Sequence, residues 1–184
     1  GTDLLDLHLP IRINGDLALF QALGSLLVEW DALDHDFVEK HTTGFDAWKK
    51  HVSEVDWSVV EETTGLTRAQ ITELAELLRD SDRTVYCWAM GLTQHHNAVA
   101  TIKDIVNLAF AQGNVGKPGA GLFPVRGHSN VQGDRTMGIW ERPAQSFLDA
   151  LQKEFGFDPP RENGHDTVDS IRAMHASTSA PLGA

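Results

Sequence analysis

The sequence predicts an α/β fold: a Rossmann-like parallel sheet flanked by helices, in a chain otherwise rich in helix. Residues 84–90, Thr-Val-Tyr-Cys-Trp-Ala-Met, form the best strand in the chain, apolar almost throughout, as a strand covered on both faces is. A glycine-started loop (91–97) and a helical run (98–112) follow directly, giving the strand–loop–helix unit from which doubly wound sheets are built. The segments before the strand show helical periodicity with recognisable starts and stops.

In chain order, residues 4–13 are short and apolar, and Pro10 biases Leu9 towards extended backbone. Asn14-Gly15-Asp16 turns into a helix whose stripe runs Leu17, Phe20, Leu23, Leu27, Trp30. Two short helices, 34–41 and 45–52, are broken at Gly44, and another, 56–63, stops at Gly65. Thr67-Arg68-Ala69-Gln70 has the form of a capping box and opens a helix through Ile71, Leu74, Leu77 and Leu78. After the strand, Asn97 is placed to cap the next helix and Gly113 to end it. Val99, Ile102, Ile105, Val106, Ala109 and Phe110 surround that helix and predict extensive burial. Pro143 suits the first position of a later helix with Phe147, Leu148, Leu151 and Phe155 on one face, ended by Gly156. Asp166 caps a last short helix, and residues 177–184 read as a frayed tail.

The 184 residues suit one domain, or one and part of another. No apolar run approaches the ~18 residues of a membrane span. The single cysteine, Cys87, excludes an internal disulfide or a self-contained Cys₄ zinc or iron–sulfur site. It fits a reducing, cytoplasmic compartment, and within the strand it reads as a small buried hydrophobe. A net charge of −11 argues against non-specific nucleic-acid binding. Yet residues 84–140 carry Lys103, Lys117, Arg126 and Arg135 against only Asp104 and Asp134. This mildly positive stretch suits an anionic small molecule, and it equally suits a segment sparsely charged because it is buried. His35, His41 and His51 lack metal-ligand spacing and read as surface residues, and adjacent His95 and His96 lack a third ligand.

Residues 113–138 hold seven of the sixteen glycines, with Val115, Leu122, Phe123, Val125, Val131 and Met137 interleaved. So much backbone freedom argues against a long helix or a regular central strand. The apolar residues argue against a disordered linker, and an ordered loop of this length usually has a function. Glycine lets main chain approach a ligand, and Arg126 and Arg135 add forked donors. A connecting surface loop is the plainer reading. Arg126 and the amide pair Asn130/Gln132 favour a ligand cradle. Gln94 and Thr93, after the strand, stand where doubly wound sheets bind ligands. Neither a G-x-G-x-x-G nor a P-loop pattern occurs there, so a nicotinamide or ATP site is not supported.

Gly91-Leu-Thr-Gln94, Gly113-Asn-Val-Gly-Lys-Pro-Gly119 and above all Pro124-Val-Arg-Gly-His-Ser-Asn-Val-Gln-Gly133 resemble the molybdopterin oxidoreductases related to formate dehydrogenase and dimethyl sulfoxide reductase. The resemblance runs from about residue 7 to about residue 174. It implies two molybdopterin guanine dinucleotides around molybdenum or tungsten, held by two α/β dinucleotide-binding domains. Residues 1–128 would then supply the main part of one such domain with a helical insertion. Residues 129–176 would supply the crossover and a helical part of the next. Arg126 matches the arginine placed beside the metal, where it orients a carboxylate substrate and stabilises developing charge. The resemblance also implies cofactor contacts from Met90, Gly91, Thr93, Gln94, Gly127, His128 and Asn130. Asp16 matches an acid that accepts hydrogen bonds from guanine N1 and N2, although its turn reads Ile-Asn-Gly-Asp. His128 stands where formate dehydrogenases have glutamine, which opens the question of the substrate.

Family members carry their metal-ligating residue, any iron–sulfur cysteines and a closing β-barrel outside the matched region. The chain therefore resembles a segment of a roughly fourfold larger enzyme. Its partners are then the remainder of its own polypeptide, a redox partner and a small-molecule substrate. Alone, the segment is expected to be inactive and without cofactor. The alternative is a stand-alone α/β binding or interaction module that binds no pterin.

Overall fold

The computed structural model describes residues 4–176; the tail reading of 177–184 lies outside them. The chain divides into two compact units at Gly127/His128.

The first unit is built on α1 (Asp16–Glu29), which buries Leu19, Ala22, Leu23, Gly24, Leu26 and Leu27. Four helices pack against it: α3 (Phe45–Ser53), α4 (Trp57–Thr64), α5 (Arg68–Asp80) and α7 (Ala98–Ala111). Together they enclose Val60, Ile71, Ala75, Ile105 and Leu108, each large aliphatic side chain contributing roughly 1.5–3 kcal/mol of burial. Gly24 lets α3 approach, since a Cβ there would stand 3.1 Å from the Trp48 ring.

The punctuation of these helices is largely what the sequence signals. Asp34 accepts from the Phe37 N–H to start α2 (His35–His41), and Asp56 accepts from Ser58 and Val59 to start α4. Thr67 and Gln70 form both halves of the capping box of α5. Gly44 and Gly65 take the left-handed conformation at their breaks, with φ of 77° and 72°.

The sheet is one parallel pair. β1 (Val85–Trp88) runs beside β2 (Gly121–Pro124) in the register Val85↔Gly121 to Trp88↔Pro124. α7 is the crossover, and Asn114, buried beyond its end, accepts from the Thr84 N–H at 3.1 Å. The fold is thus helix-rich α/β, as expected, with its sheet reduced to two strands.

Several local expectations fail for physical reasons. β1 is not covered on both faces: Tyr86 is buried, Trp88 half-buried, and Val85 and Cys87 point outwards. Side chains alternate along a strand, and the packed core reaches only the Tyr86 face. Cys87 is accordingly exposed rather than a buried hydrophobe. α7 is buried along one stripe only, through Thr101, Ile105, Leu108, Ala109 and Ala111, while Val99 is 70% exposed. Asn97 stands at its N-cap without capping it. The loop after β1 opens with a one-turn helix, α6 (Met90–Thr93). The glycine-rich stretch contains β2, whose backbone bonds to β1 outweigh the strand-weakening effect of Gly121.

In the second unit, α8 (Val131–Thr136), α9 (Gln145–Phe155) and α10 (Thr167–Ala176) are short. Asn130 caps α8, Gly156 ends α9 at φ 72°, and Asp166 accepts from the Asp169 N–H at the start of α10. Ala144 is the N-cap of α9, so Pro143 lies two residues before the first helical residue rather than at it. Arg161 joins Asp149 at 2.6 Å and Gln152 at 2.8 Å. Leu148 is buried, but Phe155, Phe157 and Ile171 are exposed.

Candidate functional site

The carboxyl ends of β1 and β2 lie side by side because the pair is parallel and in register. Beyond β1 the chain enters α6; beyond β2 it continues through Val125, whose N–H donates to the Trp88 carbonyl at 2.7 Å, to Arg126. Met90 and Gly91 on one side and Arg126 on the other therefore share one edge. Parallel sheets gather ligand-binding groups at this edge.

A cleft of about 550 Å³ opens beneath β1. Ile11, Arg12 and Ile13 form one wall, Asp16, Leu19 and Phe20 of α1 another, and Tyr86–Ala89 with Gly91, Leu92 and His95 the third. The entry segment is held there because Arg12 donates its backbone N–H to Thr64 O at 2.9 Å and its guanidinium to the Glu62 carbonyl. The Tyr86 hydroxyl donates to Gln112 Oε1 at 2.6 Å, and burial pushes that phenol well above its usual range.

Of the residues singled out in the sequence, Asp16 and Gly91 line this cleft. The side chain of Asp16 is only 18% exposed, and its polar neighbour is His95 Nδ1 at 3.5 Å. Gly91 is exposed, and a Cβ built on it meets nothing within 4 Å, so the main chain there is open to close approach. Met90, Thr93 and Gln94 are exposed on α6 and its last turn, held by the Gln94 N–H donating to the Met90 carbonyl at 3.1 Å. Arg126 and Gly127 are exposed past β2. Among the described residues Arg126 has neither an ion pair nor a hydrogen bond.

His128 and Asn130 belong to the second unit and are exposed. The Asn130 side-chain oxygen accepts from the Gly133 N–H at 3.1 Å, so it caps α8 with one face and keeps its amide N–H₂ for other partners.

His95 is the residue that sequence reasoning passed over. Weighed only as a metal ligand, it lines the cleft instead, with its Nδ1 buried and no aligned hydrogen-bond partner. The Asn97 side-chain oxygen two residues on is likewise buried and unpartnered. Arg12 and Trp88 also line the cleft. Nothing local in the sequence marks Arg12, since the turn that brings it there is 50 residues from its partner Glu62. Among the described residues no group of three or more His, Cys, Asp or Glu could hold a metal ion, and no helix is long and apolar enough to cross a membrane.

No family model matches the chain. An uncharacterised oxidoreductase of Mycobacterium tuberculosis is 50% identical over 180 residues, which cover 95% of this chain and 23% of that protein. Formate dehydrogenase H of Escherichia coli is 35% identical over 135 residues, 73% of this chain and 19% of the enzyme. Among solved structures, acetylene hydratase from Pelobacter acetylenicus superposes with a TM-score of 0.59 over 98% of this chain and 28% of its own, at 19% identity, a likeness of fold. The chain thus spans about a quarter of the length of the curated relatives it matches. Its relatives are oxidoreductases, formate dehydrogenase H among them, and the chain corresponds to a segment of them.

Proposed function

We propose that this segment holds one molybdopterin guanine dinucleotide of a two-electron oxidoreductase and presents Arg126 to the reacting centre. The observation that carries the reading is the shared edge: exposed main chain at Gly91 past one strand, an unpaired guanidinium past its parallel neighbour. The donor set fits the group. Asp16, mostly buried in the cleft with no hydrogen bond of its own, suits a neutral N–H edge such as that of guanine. Gly91 leaves room for a bulky ligand against the backbone, and Gln94 and Thr93 offer donors and acceptors on α6. Gly127, His128 and Asn130 are read as the strap along the pterin, and Met90 as an apolar contact at its rim.

When bound, the group supplies the redox chemistry through molybdenum or tungsten. The contribution of this chain is to bind, orient and polarise. An exposed, unpaired arginine at a sheet edge can grip a carboxylate with two parallel N–H bonds, fixing its orientation and offsetting charge that builds up during turnover.

The test uses the complete protein. Arg126→Ala lowers kcat/KM by at least ~100-fold, the range for removing one preorganised charged donor, while metal and pterin content stay near wild type. Gln94→Ala lowers cofactor retention instead. Unchanged turnover in Arg126→Ala removes that residue from the active site. A complete protein that binds no pterin favours the interaction-module reading.

A further inference from the structure

We infer that His95 is a positioning residue that holds the Asp16 carboxylate in the orientation that recognises the base of the bound nucleotide, an inference that rests on the reading just given. Asp16 is the first residue of α1, on the wall of the cleft. Its carboxylate is only 18% exposed and accepts no hydrogen bond from its own helix, so nothing within α1 sets its orientation. One group faces it. His95 Nδ1 lies 3.5 Å from Asp16 Oδ2, with the ring 15% exposed. The two are near enough for an ion pair but are not aligned as a hydrogen bond, which leaves Nδ1 buried without a partner. A buried ring nitrogen without a partner is costly, and a small side-chain rotation brings Nδ1–H into line with Oδ2.

The backbone of His95 is fixed on both sides. Its N–H donates to the Leu92 carbonyl at 3.1 Å, and its own carbonyl accepts from the Ala98 N–H at 3.1 Å. The imidazole is therefore carried by a hydrogen-bonded turn between α6 and α7. With Nδ1–H donating to Oδ2, Oδ1 and the remaining lone pair of Oδ2 stay directed at the cleft. That leaves an acceptor pair for two adjacent N–H groups. His95 thereby acts on specificity: it sharpens the distinction between a base edge with two donors and one with a single donor.

The experiment measures binding of GMP and IMP, which differ by the 2-amino donor, to the cofactor-depleted complete protein by calorimetry. Wild type prefers GMP by ~10-fold, the size of one hydrogen bond to a charged group. His95→Ala reduces the preference to about twofold or less. His95→Gln, which keeps a donor on the same turn, restores most of it. Asp16→Asn abolishes the preference, and adding His95→Ala to it changes nothing further, because the two side chains act through one contact. Circular dichroism and thermal unfolding check that each variant is folded, and His95→Gln carries the test if His95→Ala is not. A GMP preference that survives in His95→Ala, or one that is lost equally in a folded His95→Gln, overturns the positioning role while leaving Asp16 as the reader of the base. Wild-type protein that binds neither nucleotide overturns the site itself.

Discussion

Between α1, α4, α5 and α7, the side chains of Leu23, Leu27, Ile71, Ala75 and Leu108 are sealed from solvent. At the sheet of the same unit, Val85, Phe123 and Val125 are exposed, and Arg126 beyond them has no ion pair among the described residues. The helical part is largely self-contained: side chains cap α2, α4 and α5, Gly44 and Gly65 sit where left-handed backbone is needed, and its core is closed. The strand part keeps large apolar groups and open main chain that add nothing to the packing of this unit. A parallel pair is stable when both faces and both edges are covered. Val85, Cys87 and Phe123 therefore mark surface that this unit leaves uncovered.

The largest expected effect tests the first half of that contrast. Leu23→Ala costs about 2–5 kcal/mol, because it leaves a cavity among helices that cannot collapse. Val85→Ala costs no more than ~0.5 kcal/mol if its face is bare. Urea denaturation of the two variants separates the regions directly. If Val85→Ala in the complete protein loses more than ~1 kcal/mol, the exposed face is covered there by other parts of the chain.

A smaller effect is expected at the junction of the two regions. Gly113 ends α7 at φ +61°, and a Cβ there would collide with the Asp34 carboxylate. Asp34 both starts α2 and donates its backbone N–H to the Ala111 carbonyl at 2.8 Å. Gly113→Ala therefore strains the backbone and displaces a cap, for a loss of about 1–3 kcal/mol. A thermal melt within 1 °C of wild type would show that the loop moves freely, contrary to its packing against α2.

How far the sequence reveals this molecule follows the same division. Elements set by local chemistry are legible: the Thr67/Gln70 box, the Asp166 cap, the helix starts at Asp34 and Asp56, and the breaks at Gly44, Gly65 and Gly156. Elements set by what lies across the fold are not. The apolar run at 84–90 reads as a covered strand because hydrophobicity reports what a segment prefers to touch, not what this chain supplies. Cys87 and Val99 are misplaced for that reason. β2 is missed because Gly121 and Pro124 look unlike strand residues until the pairing with β1 satisfies their backbone. Of the proposed site, Gly91, Gln94 and Arg126 are the residues that motif spacing singles out. His95 is hidden because its partner Asp16 stands some 80 residues away, and only the fold brings the two together.

The mildest prediction contrasts two helix starts. At α4, the Ser58 hydroxyl and then the Ser58 and Val59 N–H groups donate to Asp56, holding its carboxyl below the usual aspartate range. At α7, beside the cleft, Asn97 makes no such bond. A folded carboxyl with a depressed pKa binds its proton less readily than the unfolded one. Its stabilising contribution is thus complete above the unfolded value of about 3.9 and is lost as the pH falls through the folded value. Acidification through that window should release the amide protons of Ser58 and Val59 to exchange, while those at the start of α7 show no step. A matching step at Ala98 and Val99 would mean that the cleft helix carries a titrating cap after all, and that the two starts are built alike.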